Sequence, residues 1–176
     1  SWNDWRWQLR NSFTTAEALS RVMTLTDDEI HTLNRLKGRL PLRITPYYLS
    51  LIYDSEPWSP LRRTMIPTSD EMLVTEAEKA DPLNEMGNSP VPGIIHRYPD
   101  RALFTVTQFC SSYCRYCTRS HSVGKLGHLT KGEWELAFEY LRNHTEIRDV
   151  IISGGDPLTM NDSKIEYLLS NLRAIK

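Results

Sequence analysis

The sequence predicts an α/β protein in which an N-terminal helical region precedes the first strand–helix units of a parallel sheet. Three observations carry this. Threonine–glutamate pairs at capping spacing punctuate the first part of the chain, and prolines crowd between Asp81 and Asp100. After Arg101, two short apolar runs alternate with two amphipathic stretches. Strand, helix, strand, helix is the mark of a parallel sheet, because parallel neighbours need a crossover helix. The expected segments are therefore a helical region over 1–80, a Pro-rich connector over 81–101 and the start of the sheet over 102–176.

Taken in order, Thr14 with Glu17 and Thr26 with Glu29 have capping-box spacing, so a helix should start at each. Thr68 with Glu71 repeats the pattern ahead of a helix expected to run to about Ala80. Between them Pro41, Pro46, Pro57, Pro60 and Pro67 call for extended or turning backbone. Trp2, Trp5 and Trp7 read as helix-packing anchors. From Asp81 to Asp100, Pro82, Pro90, Pro92 and Pro99 with Gly87 and Gly93 suggest a structured connector lacking helix and strand. It also carries His96-Arg97-Tyr98 and leads into Arg101, more charge and aromatic character than a spacer needs.

Ala102–Gln108 is rich in β-formers and short enough for a buried strand. Thr130 and Glu133 then box a helix with apolar Trp134, Ala137, Phe138 and Leu141. Val150-Ile151-Ile152 is a second strand, ending in Ser153-Gly154-Gly155-Asp156. Ser163 and Glu166 are expected to cap a last helix whose apolar face is Ile165, Leu168, Leu169, Leu172 and Ile175. Two parallel strands would leave both edges open, so the sheet is expected to be truncated at Lys176.

The 176 residues are 40% hydrophobic and 24% charged, values of an ordinary soluble globular chain. A net charge of -1 gives no electrostatic case for nucleic acid or an anionic membrane as partner. No apolar run approaches the roughly 20 residues of a membrane span. The first residues lack a signal-peptide core, so a cytoplasmic location is expected.

The three cysteines, Cys110, Cys114 and Cys117, lie within one short stretch and nowhere else. An odd, tight set argues for metal rather than for a disulfide framework. Their C-x3-C-x2-C spacing follows a predicted strand, and thiolates are the soft ligands that iron–sulfur clusters select. Three thiolates on a four-iron cluster leave one iron open to the amino and carboxylate groups of a small ligand. A structural zinc site made with His121 is the competing reading of the spacing. Ser153-Gly154-Gly155-Asp156 would add a close backbone approach and a carboxylate able to meet a ligand ammonium.

The triad with a Gly-Gly-Asp strand end one βα unit later resembles the radical S-adenosylmethionine (SAM) superfamily. Trp2–Asn11, Ile44–Leu51, Ser89–Gly93, His96–Arg101 and Cys117-Thr118-Arg119 are similar to the lysine 2,3-aminomutase family. That resemblance implies a radical SAM barrel starting within 102–176, a [4Fe-4S] cluster, SAM and pyridoxal phosphate (PLP). It implies transfer of an α-amino group to the β-carbon, begun by a 5′-deoxyadenosyl radical. The substrate would be a free amino acid. A flavodoxin- or ferredoxin-type donor would supply electrons, and the full-length protein would form a homo-oligomer.

By the same resemblance Cys110, Cys114 and Cys117 ligate iron, and Ser153, Gly154, Gly155 and Asp156 hold SAM. Tyr116 lies near the SAM adenine, where the family often has histidine. Arg97 and Arg101 hold the PLP phosphate, Tyr98 packs near PLP, and Arg119 pairs with the substrate carboxylate. Ser120-His121 stand where the family has further arginines. The family's PLP lysine lies beyond Lys176, so the 176 residues alone are expected to be inactive. Alternatives are the PLP-independent branch acting on a lysine of elongation factor P, and a non-enzymatic Cys3His zinc module. The Trp-rich start, Pro99-Asp100 and Thr118 favour the PLP-dependent branch.

Overall fold

The computed structural model describes residues 1–36, 40–124 and 128–175. Its backbone contacts divide the chain into two compact, interleaved units. One comprises Ser1–Ala80 with Ser111–Gly124, the other Asp81–Cys110 with Lys125–Lys176.

The first unit is built from short helices: α1 (Trp5–Arg10), α2 (Ala16–Ser20), α3 (Asp27–Arg35), α4 (Pro46–Ser50) and α5 (Pro60–Arg63). Helices this short are marginal by themselves, so caps and packing decide their limits. The Thr26–Glu29 box forms as expected, with Glu29 N–H donating to Thr26 Oγ1 at 3.2 Å and Thr26 N–H to Glu29 Oε2 at 2.8 Å. At α2 the cap is Thr15 rather than Thr14, its hydroxyl accepting from Ala18 N–H, without a reciprocal glutamate bond. Thr45 caps α4, with Pro46 at the first position, where a missing N–H costs nothing.

The expected helix after Thr68 is only a single 3₁₀ turn, Ser69–Met72. The Thr68 hydroxyl accepts no capping bond, and the Glu71 carboxylate turns to Arg115 instead. Leu73 is already extended, and the β-branched Val74 and Thr75 that follow disfavour helix.

An aliphatic core of Leu19, Ile44, Leu49, Ile52 and Ile66 fills the unit, and Phe13 pairs with Ile44 in an isolated bridge. One ion pair lies at its centre. Arg62 and Glu29 are 3% and 2% exposed. Arg62 Nε and Nη2 donate to the two Glu29 oxygens at 2.9 and 2.7 Å. Arg62 also reaches the Ser55 and Thr24 carbonyls at 2.6 and 2.8 Å, so a guanidinium staples three segments.

Of the tryptophans expected to anchor helix packing, Trp2 and Trp5 are exposed; Trp2 meets Tyr47 edge to face and Trp7 at a tilt, and the Arg6 guanidinium lies over Trp5. Gln8 ties this end down instead, donating to Trp2 O and accepting from Tyr47 N–H.

The second unit holds a three-stranded sheet of β1 (Ile94–Tyr98), β2 (Arg101–Thr107) and β3 (Asp149–Gly154), in the order β1-β2-β3. β2 and β3 are parallel, with Phe104 opposite Ile152, and the crossover between them is α6 (Lys131–Asn143). β1 was not expected. It enters from Gly93 at φ 85 and pairs antiparallel with β2, Ile94 opposite Phe104, so the sheet is mixed. Prolines flank this stretch but none lies inside it, and its pairing is fixed by the strand that follows.

Thr130 and Glu133 cap α6 as expected. α7 (Asp162–Arg173) starts earlier than Ser163, because Asn161 adopts the extended cap conformation and its Oδ1 accepts from Lys164 N–H at 2.9 Å. Phe104, Trp134 and Phe138 pack edge to face between β2 and α6, and Tyr167 of α7 stacks on Trp134. Among the described residues no helix is long and apolar enough to cross a membrane.

Candidate functional site

The parallel pair β2/β3 carries the Gly-Gly-Asp turn at its C-terminal end. There the Thr107 carbonyl accepts from Gly155 N–H at 2.6 Å, and Phe109 O from Asp156 N–H at 2.7 Å. The Thr107 hydroxyl accepts from Phe109 N–H at 3.2 Å and lies 2.9 Å from His128 Nδ1. The turn after β3 is thus laced to the backbone leading into the cysteines.

Both glycines of the turn are required by that lacing. A Cβ on Gly154 would stand 2.1 Å from the Thr107 carbonyl oxygen, and its φ of +118° already excludes most side chains. A Cβ on Gly155 would stand 2.2 Å from Phe109 O and 3.0 Å from Cys110 Sγ. The close approach expected of these glycines is therefore made to the strand end and the first thiol. Asp156 caps the next 3₁₀ turn, its Oδ1 accepting from Leu158 N–H, which fixes the carboxylate's orientation. Ser153 precedes them in β3, opposite Thr105.

All three cysteines lie outside any disulfide and are half-buried. Cys110 ends its segment of the second unit, whereas Cys114 and Cys117 belong to the first. Cys114 packs against the aliphatic core, and Cys117 N–H donates to Cys114 O at 3.0 Å. Tyr116 is 71% exposed. A hydrogen bond with Cys114, and the charge of that thiol, hold its phenol above the usual range.

Arg119 is half-buried and its carbonyl closes a turn, accepting from the backbone N–H groups of Ser122 and Val123. His121 Nδ1 is buried without a hydrogen-bond partner. Among the described residues no group of three or more His, Cys, Asp or Glu side chains stands ready-made for a metal ion, neither the cysteine triad nor the Cys3His set.

Arg97, Tyr98 and Arg101 meet at the β1–β2 turn. The two guanidiniums flank the Tyr98 ring at 5.9 and 5.8 Å, and all three residues are exposed. Arg97 Nη1 donates to Leu83 O, while Arg101 forks onto Asp100 at 3.0 and 3.1 Å. Arg148 adds a bond to Asp100, and the two cations hold that carboxyl down at about 2. Two cations beside an aromatic face suit an anionic group on a flat ring.

The chemistry of the donors, three thiols outside any disulfide, is that of an iron–sulfur ligand set, and the first thiol lies 3.0 Å from where a Cβ on Gly155 would stand. Sequence reasoning passed over Thr107, His128, Arg115 and Glu71. Only Arg115, lying between two cysteines, carried a local signal.

Residues 104–175 match the model of the radical SAM superfamily. The chain is 47% identical to an L-lysine 2,3-aminomutase of Bacillus subtilis and 45% identical to one of Clostridium subterminale, each over 99% of this chain. A glutamate 2,3-aminomutase of Clostridioides difficile is 39% identical over the same share. The chain spans 37%, 42% and 41% of those three relatives, about two fifths of each. The matches, the cysteine spacing and the Gly-Gly-Asp turn agree: residues 104–175 match the radical SAM superfamily, and nearly the whole chain is similar to about two fifths of the length of lysine 2,3-aminomutases.

Proposed function

We propose that this chain serves in a PLP-dependent radical SAM aminomutase that moves the α-amino group of a free amino acid to its β-carbon. One observation carries the reading: 47% identity to an L-lysine 2,3-aminomutase along 99% of the chain. Cluster, SAM and PLP, when bound, would supply one-electron cleavage chemistry and a carrier for the migrating nitrogen.

In this reading β2, α6 and β3 are the opening units of a radical SAM barrel. Cys110, Cys114 and Cys117 hold the cluster and leave one iron open. Ser153, Gly154 and Gly155 line the SAM site with backbone, and Asp156, held in orientation by its cap bond, meets the SAM ammonium. Tyr116 serves the adenine. Arg97 and Arg101 would hold the PLP phosphate and Tyr98 would pack near the ring. Arg119 pairs with the substrate carboxylate. L-lysine is the first substrate to try, with L-glutamate second, and a flavodoxin- or ferredoxin-type protein is the electron donor.

Anaerobic reconstitution tests the reading. The chain should turn brown, take about four irons and four sulfides, and give an EPR spectrum that changes on adding SAM. Cys114→Ala should abolish assembly. Stoichiometric zinc without visible absorption would sink the proposal in favour of a zinc module.

A further inference from the structure

Arg115 stands between the second and third cysteines, in a stretch, 114–117, that is otherwise half-buried to exposed. Its side chain is 6% exposed. The guanidinium forks onto Glu71, Nε at 3.0 Å from Oε1 and Nη2 at 2.7 Å from Oε2. Nη1 donates to Leu40 O at 3.0 Å and lies 3.4 Å from Pro41 O. The backbone is stitched as firmly: Arg115 N–H donates to Thr64 O at 2.8 Å and Tyr113 N–H to Arg43 O at 3.1 Å. The Arg43 guanidinium also lies 5.5 Å from the Tyr113 ring centre.

Four separate stretches of the helical unit, at 40–43, 64 and 71 and through the core beneath Cys114, therefore converge on the segment bearing Cys114 and Cys117. A bidentate Arg–carboxylate pair is the most directional contact a side chain can make, and residues that orient ligands tune a metal site nearly as strongly as the ligands do.

We propose that Arg115, with Glu71, is a positioning residue for the cluster: it sets where Cys114 and Cys117 present their sulfurs. The short-helix unit is then the frame of the cysteine loop. This rests on the reading of the triad as the iron–sulfur ligand set. No step of the chemistry passes through Arg115 itself.

The test uses Arg115→Met, Arg115→Lys and Glu71→Gln in the whole 176-residue chain, with Arg62→Met as a control that breaks the other ion pair. Glu71 is 28% exposed, so its carboxylate can hydrate when Arg115 is gone and the fold should survive. In metal-free protein, Arg115→Met should raise the alkylation rates of Cys114 and Cys117 severalfold while leaving Cys110 unchanged. On reconstitution it should lower iron affinity by roughly 10- to 100-fold and remove the SAM-induced EPR change. Arg115→Lys keeps the charge but loses the fork, and Glu71→Gln keeps an acceptor but loses the charge, so both should fall between.

Arg62→Met should lower the urea midpoint yet keep wild-type iron affinity per folded molecule. The proposal is overturned if Arg115→Met and Glu71→Gln keep wild-type alkylation rates, iron affinity and SAM response. It is also overturned if Arg62→Met loses as much iron affinity at equal folded fraction, because stability alone would then explain the effect. A wild-type chain that takes no iron removes the cluster reading, and this proposal with it; failure of the variants alone leaves that reading standing.

Discussion

Helices in the first unit run from four to nine residues, whereas those of the second run 13 and 12. The first unit's core is aliphatic and encloses an ion pair; the second is centred on stacked and edge-to-face rings between a sheet and two helices. Long elements can bury continuous stripes, so the second unit relies on apolar area. Short ones cannot, and in the first unit side-chain bonds to distant carbonyls join what the helices leave separate. Both of the well-buried charged pairs described above, Arg62–Glu29 and Arg115–Glu71, accordingly belong to the first unit.

The largest effects expected are also the sharpest test of that contrast. Arg62→Met leaves Glu29 buried and unpaired and should cost about 3–5 kcal/mol. Phe138→Ala should cost a similar amount, about 3–5 kcal/mol, through its cavity. Urea unfolding followed by fluorescence can tell them apart, since Trp2, Trp5, Trp7 and Trp58 report the first unit and Trp134 the second. Replacing both partners, Arg62→Met with Glu29→Leu, should recover much of the loss. If it does not, the pair's bonds to Ser55 and Thr24 matter more than its charge.

Gly154→Ala comes next. A positive φ and a carbonyl in the way should cost roughly 1–3 kcal/mol, read as a lowered melting temperature. Thr26→Ala and Thr130→Ala should each cost about 1 kcal/mol, one in each unit. A much greater cost at Thr26 would show that the short helices depend more on their caps.

The smallest effect is at Asp100. Its carboxyl titrates at about 2 when folded and near 3.8 when free. The stabilisation from Arg101 and Arg148 is therefore complete above the free value, and it fades as pH falls through 3.8 towards 2. Asp100→Asn should be slightly less stable than wild type at neutral pH, with the gap closing near pH 2 and shrinking in high salt.

How much of this was legible beforehand follows from distance along the chain. The boxes at Thr26 and Thr130 were readable because four residues contain the whole signal. The cysteine triad and the Gly-Gly-Asp turn were readable for the same reason. The expected helix after Thr68 failed because Glu71's partner lies 44 positions away, and nothing local reveals that the carboxylate is already committed. β1 was hidden because its hydrogen bonds belong to β2 rather than to its own proline-flanked sequence. The roles of Arg97, Arg101 and Arg119 came from resemblance; the structure adds that Asp100 already grips one of them.

Gly155 has a consequence for how such sequences change over generations. With the Phe109 carbonyl oxygen 2.2 Å and Cys110 Sγ 3.0 Å from the point where a methyl would sit, a side chain at 155 has to push aside the backbone that leads into the first thiol. Across related sequences a non-glycine at this site should therefore coincide with a rebuilt stretch ahead of the first cysteine, so that one letter reports on the path of a distant segment.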